Sequence, residues 1–393
     1  MPAAIYVFSL CAFAFGLSEF VVAGLLISIA NDLDAQIAIV GTAIAAYALG
    51  AAIGAPLITA LVSHWRDRQI LLLATALLGL GSLLMSASPN VLVLLAIRFV
   101  VGLGHGVFMA VASDAATRLV DPCRSGRALS VVWIGLTLAL AFGVPIGTYL
   151  GSLWSWRVVF LAIGVLSVVG MLGLALCLPR HEAEGDARRA GAWQGIRAIT
   201  HPQLLITGGV GVLVSVATFT FFTFVSPYLQ QITAVDVQWL SLGMLLFGVC
   251  SIAGNLLGGY LADALDVDRS IRWALLALAL NLFCLYGFAS MPAMMLLLIG
   301  MLGVCFFSIV TLLTLRLLKQ AQRFIPGYST VAAGLNIASF NLGTALGGAL
   351  GSLTITYTTL ALVPLVGALA AVLAVVVLHL QGRRINSPEA SVS

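Results

Sequence analysis

The sequence predicts an all-α integral membrane protein in which twelve transmembrane helices form two six-helix halves, and three observations support this fold class. Hydrophobic residues make up 61% of the 393 positions and charged residues only 8%, whereas about 25% of a soluble globular protein is charged. The apolar runs are unbroken over about 20 residues, the length of one helical span, and lack the alternation of a β-barrel. A single polar stretch separates six runs from six. Soluble enzymes, nucleic-acid-binding proteins and secreted disulfide-bonded proteins are thereby excluded.

Charged residues, prolines and turn residues mark the ends of the runs. The first half is predicted at residues 1–178, with spans at 5–29, 37–62, 70–88, 91–116, 127–150 and 157–178. A polar linker follows at 179–203. The second half is predicted at residues 204–380, with spans at 204–229, 240–262, 271–290, 293–315, 329–350 and 357–380, before a tail at 381–393.

The distribution of basic residues predicts the orientation of the chain. Of the 18 Lys and Arg residues, 16 fall in the central linker, in the tail or between an even-numbered span and the next odd-numbered one. Cytoplasmic loops collect Lys and Arg, so both termini are predicted to be cytoplasmic. The two exceptions are Arg157, at the opposite face, and Arg98, inside the fourth span.

The two halves repeat one another at an offset of about 200 residues, a plan used by some secondary transporters. A Gly-x-x-x-Gly-x-x-x-Gly pattern occurs in the fifth and eleventh spans, and Asp-Arg-x-Ile follows the second span of each half. The matching residues are Gly143, Gly147 and Gly151 with Gly343, Gly347 and Gly351, and Asp67-Arg68 with Asp268-Arg269.

Three motifs resemble those of the major facilitator superfamily, in its drug:proton antiporter branch. They are Gly259-Tyr-Leu-Ala-Asp263 followed by Asp268-Arg269, Arg98-Phe-Val-Val-Gly102-Leu-Gly104 in the fourth span, and Gly143-Val-Pro145-Ile-Gly147 in the fifth. The resemblance covers the whole chain and extends to the chloramphenicol exporters of actinobacteria and the arabinose-efflux-type proteins. The loop motif of the first half is incomplete, because Ser63 stands where the family has an acid.

The resemblance implies a proton-coupled antiporter of the inner (plasma) membrane that exports small neutral or amphipathic molecules, such as phenicol-type drugs, by alternating access. A sugar or nucleoside efflux transporter, or an uncoupled facilitator of the same fold, is the alternative. The implied energy source is the proton gradient, with no cofactor or metal. The expected partners are a small-molecule substrate and membrane lipid, with no nucleic acid, and we expect a monomer. Catalytic motifs such as HExxH, GxSxG and the P-loop are missing from the sequence, so no enzyme is predicted.

Glu19 lies near the middle of the first span, where an ionisable group costs about 2.5–3.5 kcal/mol on insertion scales. A low-dielectric cavity favours the neutral acid, so a proton can bind and leave during a transport cycle. Glu19 is therefore predicted to couple protons and to contact substrate. The alternative is a carboxylate that is tied structurally to a neighbouring helix.

Arg98 and His105 are predicted to share the cavity with Glu19 and to take part in proton coupling. The guanidinium of Arg98 stays charged and needs an acceptor, for which Glu19 and helix-end carbonyls are the candidates. His105 stands between two glycines, and its imidazole can relay protons or contact substrate. A structural role is the alternative for both residues.

Substrate contacts are also predicted in the seventh and eleventh spans. Phe222 and Tyr228 suit an aromatic or amphipathic ligand, although most aromatic residues in spans face lipid or core. Asn336 and Asn341 are amides at membrane depth that need hydrogen-bonding partners.

A conformational gate is predicted from the charges at one membrane face and from a bend in the fifth span. Asp114 is expected near Arg66 or Arg68, and Asp263 with Arg269 at the equivalent place in the second half, as a latch that breaks on switching. Solvated surface charges are the alternative. Gly143, Pro145 and Gly147 are expected to bend the fifth span and help to seal the halves, since proline removes a backbone donor; ordinary kinked packing is the alternative. The eleventh span lacks the proline and is expected to bend less.

Overall fold

The computed structural model describes residues 1–62, 65–121, 125–178, 201–324 and 329–385, and within them it confirms the predicted all-helical fold class. The first half contains α1 (Ala3–Asp32), α2 (Ile37–Ile53), α3 (Asp67–Ser86), α4 (Val91–Arg118), α5 (Ser125–Leu138 and Val144–Leu153) and α6 (Trp156–Cys177). The second half contains α7 (Pro202–Phe222), α8 (Val237–Ala264), α9 (Val267–Gly287), α10 (Pro292–Phe324), α11 (Ser329–Tyr357) and α12 (Val363–Ile385). Most of the predicted linker and tail lies outside the described residues.

Three helices contain or continue into a π-helical turn, which widens the helix by one residue. The turn Gly54–Ile58 extends α2, Ala139–Gly143 joins the two parts of α5, and Tyr228–Ile232 follows α7 after the short helix Val225–Pro227. A proline lies within the first turn, two residues after the second and immediately before the third. Each π-helical turn therefore lies at a proline or within two residues of one, where the missing backbone N–H interrupts the regular hydrogen bonds of the helix.

Eleven helices in the described part of the chain are long and apolar enough to cross a membrane. The twelfth, α11, has 29 residues and is rich in Gly, Ser, Thr and Asn. Its small residues allow close packing on α2 and α7. Side-chain caps define several helix starts, as at α4, where the Asn90 side chain accepts a hydrogen bond of 3.0 Å from the Val93 amide.

The two halves pack by the same plan. In the first half α1 contacts α5, α2 contacts α4, and α3 contacts α6; in the second half the corresponding pairs are α7 with α11, α8 with α10, and α9 with α12. Between the halves, α2 packs on α11 and α5 packs on α8. The contact plan therefore agrees with the internal repeat that the sequence predicts.

Glycines bring the backbones of α2 and α4 into direct contact. A Cβ atom on Gly102 would lie 2.1 Å from the carbonyl oxygen of Tyr47, and one on Gly106 would lie 2.3 Å from that of Ala51. In the second half a Cβ on Gly303 of α10 would lie 2.5 Å from the carbonyl oxygen of Phe247 of α8. Only glycine permits these crossings.

The halves meet at the end of the bundle away from the chain termini, which we call the far face; the end at which α1 begins and α12 ends is the terminal face. Ser352 of α11 donates a hydrogen bond of 2.9 Å to the carbonyl of Ala38 at the start of α2. Deeper in the bundle, the rings of Phe20 and Phe219 stack with centroids 6.0 Å apart. The central site described below therefore lies behind a closed far face.

Candidate functional site

Glu19 of α1 and His105 of α4 meet in the interior of the first half. Each is 5% exposed, and Oε2 of Glu19 lies 3.5 Å from Nδ1 of His105. The imidazole stacks on Phe15 with ring centroids 5.0 Å apart and an interplanar angle of 9°. Neither ring nitrogen has a hydrogen-bond partner among the described residues. The structure thus brings two predicted residues together and leaves the imidazole free to accept or donate.

Arg98 is fully buried and binds backbone rather than carboxylate. Its guanidinium donates to the carbonyls of Ser18, of Glu19 at 3.1 Å and of Ala43 at 3.1 Å. The guanidinium carbon also lies 4.3 Å from the ring centroid of Tyr47, a cation–π contact. The acceptors are carbonyls inside α1 and α2, so Arg98 joins three helices and fixes the backbone that carries the Glu19 side chain.

This arrangement can hold a proton at either of two neighbouring side chains. A carboxyl and an imidazole in contact can exchange one proton between them, and either can pass it to a third group. The geometry therefore permits reversible protonation at Glu19 and His105.

The charged residues of the predicted gate lie at the terminal face, and the contacts described for them are within their own half. Arg68 donates to the carbonyl of Ala175 in α6 at 2.9 Å, and Asp114 pairs with Arg118 at 3.0 Å. The backbone amide of Arg66 donates to Gln69 at 3.3 Å. In the second half the backbone amide of Arg269 donates to the carboxylate of Asp266 at 2.9 Å. The side chain of Asp263 lies outside the described residues.

Sequence reasoning missed two ion pairs at this face. Arg118 of α4 pairs with Asp67, which is 3% exposed, at the start of α3. Arg316 of α10 pairs with Asp268 of α9 through two hydrogen bonds of 2.7 and 3.3 Å, and it is itself 4% exposed. The repeated Asp-Arg-x-Ile pattern contained the signal, because both acids occupy its first position.

The fifth helix is interrupted where the sequence predicts a bend. The π-helical turn Ala139–Gly143 ends two residues before Pro145, and glycine spacing brings α5 onto α1: a Cβ on Gly147 would lie 2.8 Å from Val21. From the other half, a Cβ on Gly248 of α8 would lie 2.3 Å from the carbonyl oxygen of Leu140 in the turn. The bend is therefore a contact point between the halves, whereas α11 is a continuous helix.

Three of the four substrate residues predicted in the seventh and eleventh spans bind within the second half. The Tyr228 hydroxyl donates to the carbonyl of Leu285 at 3.3 Å, and Asn336 donates to Thr314 at 2.6 Å. Asn341 donates at 3.0 Å to the carbonyl of Ile337 in its own helix. The structure does not bring these three side chains to Glu19.

Phe222 belongs to an aromatic cluster that the sequence did not reveal. Its ring centroid lies 4.2 Å from that of Phe247, and Phe219 contacts Phe222, Phe306 and, across the halves, Phe20. We define the aromatic cluster as Phe219, Phe222, Phe247, Phe306, Phe307 and Phe340. It faces the first half through Phe219, so an apolar surface of the second half lies opposite the charged site.

Comparison with known proteins agrees with this architecture. The family model described as Major Facilitator Superfamily matches residues 8–325. The chain is 34% identical over 374 residues to the inner membrane transport protein YdhP of Escherichia coli (strain K12), covering 95% of this chain and 94% of that protein. It is 32% identical over 374 residues to the chloramphenicol resistance protein of Streptomyces lividans, covering 93% and 92%.

A solved structure supports the fold at lower identity. The crystal structure of a D-xylose–proton symporter matches with a TM-score of 0.76 and 15% identity, and covers 96% of each chain. At this identity the likeness speaks for the arrangement of the helices alone.

Proposed function

The chain belongs to the Major Facilitator Superfamily, and from that premise we propose that this membrane transporter is a proton-coupled antiporter. It exports small neutral or amphipathic organic molecules, such as phenicol-type drugs, across the inner membrane by alternating access. Both termini are cytoplasmic, so the far face is periplasmic. The driving force is the proton gradient, no cofactor takes part, and the working unit is a monomer.

The contact between Glu19 and His105 carries this proposal. Both side chains titrate in principle, both are buried, and they lie 3.5 Å apart beside Arg98, whose charge is already bound to carbonyls. A uniporter needs no such pair, and an isolated ionisable group in a membrane span is costly. Proton exchange between these two side chains, and between them and water, gives a functional reason for ionisable groups at this depth in the membrane.

Transport follows from competition at this site. With the periplasmic face closed, a cytoplasmic substrate binds and displaces the proton from Glu19 or His105. The halves then rock about the α5–α8 and α2–α11 contacts, and opening of the periplasmic face releases substrate and admits a proton. The ion pairs Asp67–Arg118 and Asp268–Arg316 join helices of one half, so each half moves as a unit.

A panel of efflux assays tests the proposal. In a pump-deficient bacterial host, the wild type is expected to lower the accumulation of a phenicol, and an uncoupler is expected to abolish the effect. Pentoses and purine nucleosides in the same panel test the sugar and nucleoside alternatives. Efflux that is indifferent to the uncoupler would identify an uncoupled facilitator instead.

The Glu19→Gln variant tests the coupling residue in reconstituted vesicles. Gradient-driven efflux is expected to fall to background, because glutamine cannot take up the proton, while counterflow exchange of substrate continues. Survival of gradient-driven efflux in this variant would contradict the assignment of Glu19.

A further inference from the structure

The internal repeat assigns Thr218 of α7 to the position that Glu19 occupies in α1. A Cβ on Gly24 of α1 would contact the Thr148 hydroxyl of α5, and a Cβ on Gly348 of α11 would contact that of Thr223 in α7. In this matching pair of contacts Gly24 corresponds to Thr223, so α1 corresponds to α7 at an offset of 199 residues. The same offset relates Phe20 to Phe219, whose rings stack on each other between the halves. It also relates Glu19 to Thr218.

The hydroxyl of Thr218 is buried and unpartnered. The residue is fully buried, and its Oγ1 has no hydrogen-bond partner among the described residues. Most buried polar atoms in proteins do have a partner. Two residues later, Thr220 shows the usual solution for a threonine in a helix: its hydroxyl donates to the carbonyl of Val216 at 2.6 Å.

Aromatic rings lie next to this position along α7. Phe219, the next residue, lies edge-on to Phe306 at 5.5 Å and to Phe222 at 5.7 Å. One turn before Thr218, the buried hydroxyl of Ser215 is likewise unpartnered among the described residues, and residues three apart share a helix face. The second half therefore carries two free hydroxyls beside an apolar aromatic cluster.

We infer that Thr218, assisted by Ser215, is a substrate-contacting residue that hydrogen-bonds a hydroxyl or carbonyl oxygen of an uncharged molecule. The apolar or aromatic part of that molecule packs against the aromatic cluster, and its second polar group reaches Glu19 and His105 in the other half. This inference rests on the proposed transport function and specifies its substrate class: compact molecules with an apolar ring and polar oxygen groups on either side.

The test compares three variants of the purified full-length protein, with chloramphenicol as the probe in an equilibrium binding assay. Thr218→Val keeps the shape of the side chain but removes the hydroxyl, and is expected to weaken binding about tenfold, the effect of one lost hydrogen bond. Thr218→Ser keeps the hydroxyl and is expected to bind within about threefold of wild type. Thr220→Val is the matched control, one hydroxyl along the same helix, and is expected to leave affinity unchanged.

Thermal unfolding without ligand separates binding from a structural role. Thr218→Val is expected to be at least as stable as wild type, because it removes an unpartnered buried hydroxyl. Wild-type affinity in Thr218→Val, or a loss of affinity matched by a loss of ligand-free stability, would overturn the inference. A wild type that exports a compound of the efflux panel but does not bind chloramphenicol would also overturn the inference, whereas a wild type that exports none of these compounds would contradict the proposed function itself.

Discussion

Equivalent positions in the two halves carry opposite chemistry on the same scaffold. The crossing of α2 and α4 through Gly102 matches the crossing of α8 and α10 through Gly303. At this crossing and on the helix beside it, the first half has charged and polar side chains where the second half has mostly apolar ones. The matched residues are Glu19 with Thr218, Tyr47 with Phe247, Arg98 with Ile299, and His105 with Phe306.

The difference shows which features the fold requires. Ile299 is fully buried and Phe247 and Phe306 are nearly so, which means that these helices pack well with no charge at the crossing. A buried charge is therefore not a general requirement of this crossing, and the cost of the charges in the first half fits the proposed proton exchange. We assign proton exchange to the first half and most of the apolar recognition to the second.

The ion pairs at the terminal face provide the largest contrast. Arg316→Gln is expected to destabilise the second half by about 1–3 kcal/mol, because it removes the hydrogen bonds of a buried guanidinium, two of them of 2.9 and 2.7 Å to neutral partners, but leaves the Asp268 carboxylate, which is 42% exposed, in contact with water. Arg118→Gln is expected to cost more, about 3–5 kcal/mol, because it takes the charge of Arg118 away from the Asp67 carboxylate, whose side chain is only 4% exposed. Denaturant unfolding of both purified variants measures the difference, and equal losses would contradict it.

The shared crossing is expected to be equally sensitive in both halves. Gly102→Ala and Gly303→Ala should each destabilise the protein by about 1–3 kcal/mol, because the new methyl group meets a backbone carbonyl. Gly259→Ala is the control: nothing lies within 4 Å of its Cβ position, so a small gain of about 0.5–1 kcal/mol is expected. Unfolding temperatures in one detergent compare the three, and tolerance of alanine at only one crossing would show that the halves are not equivalent.

The smallest effect on stability is expected when the matched residues His105 and Phe306 are replaced by one another, and of the two variants His105→Phe is expected to change stability less. His105→Phe should change stability by less than about 1 kcal/mol, because phenylalanine can keep the stacking on Phe15 and removes two unpartnered nitrogens. Phe306→His should cost about 1–3 kcal/mol by adding unpartnered polar atoms to the aromatic cluster. Thermal unfolding reports both, and a large loss in His105→Phe would assign the imidazole a structural role.

Much of the architecture was predictable because hydropathy, basic loops and repeated glycines are local signals. The bend of α5 followed from Pro145, and the buried position of Glu19 and Arg98 followed from their depth in the spans. The direction of side chains was harder to predict: Tyr228 and Asn336 bind within the second half. A helix that is apolar on every side does not encode its own rotation, and the carbonyl acceptors of Arg98 depend on how α1, α2 and α4 cross.

Proton release on substrate binding tests the central account most directly. A panel compound that the wild type exports is added to purified, weakly buffered protein with a pH indicator dye, and the wild type is expected to release protons as substrate binds. Asp32→Asn is the control, since Asp32 lies on the same helix but pairs with Arg157 at the far face; it should release protons like wild type. Glu19→Gln is expected to bind substrate without releasing protons. Undiminished release from Glu19→Gln would contradict the account.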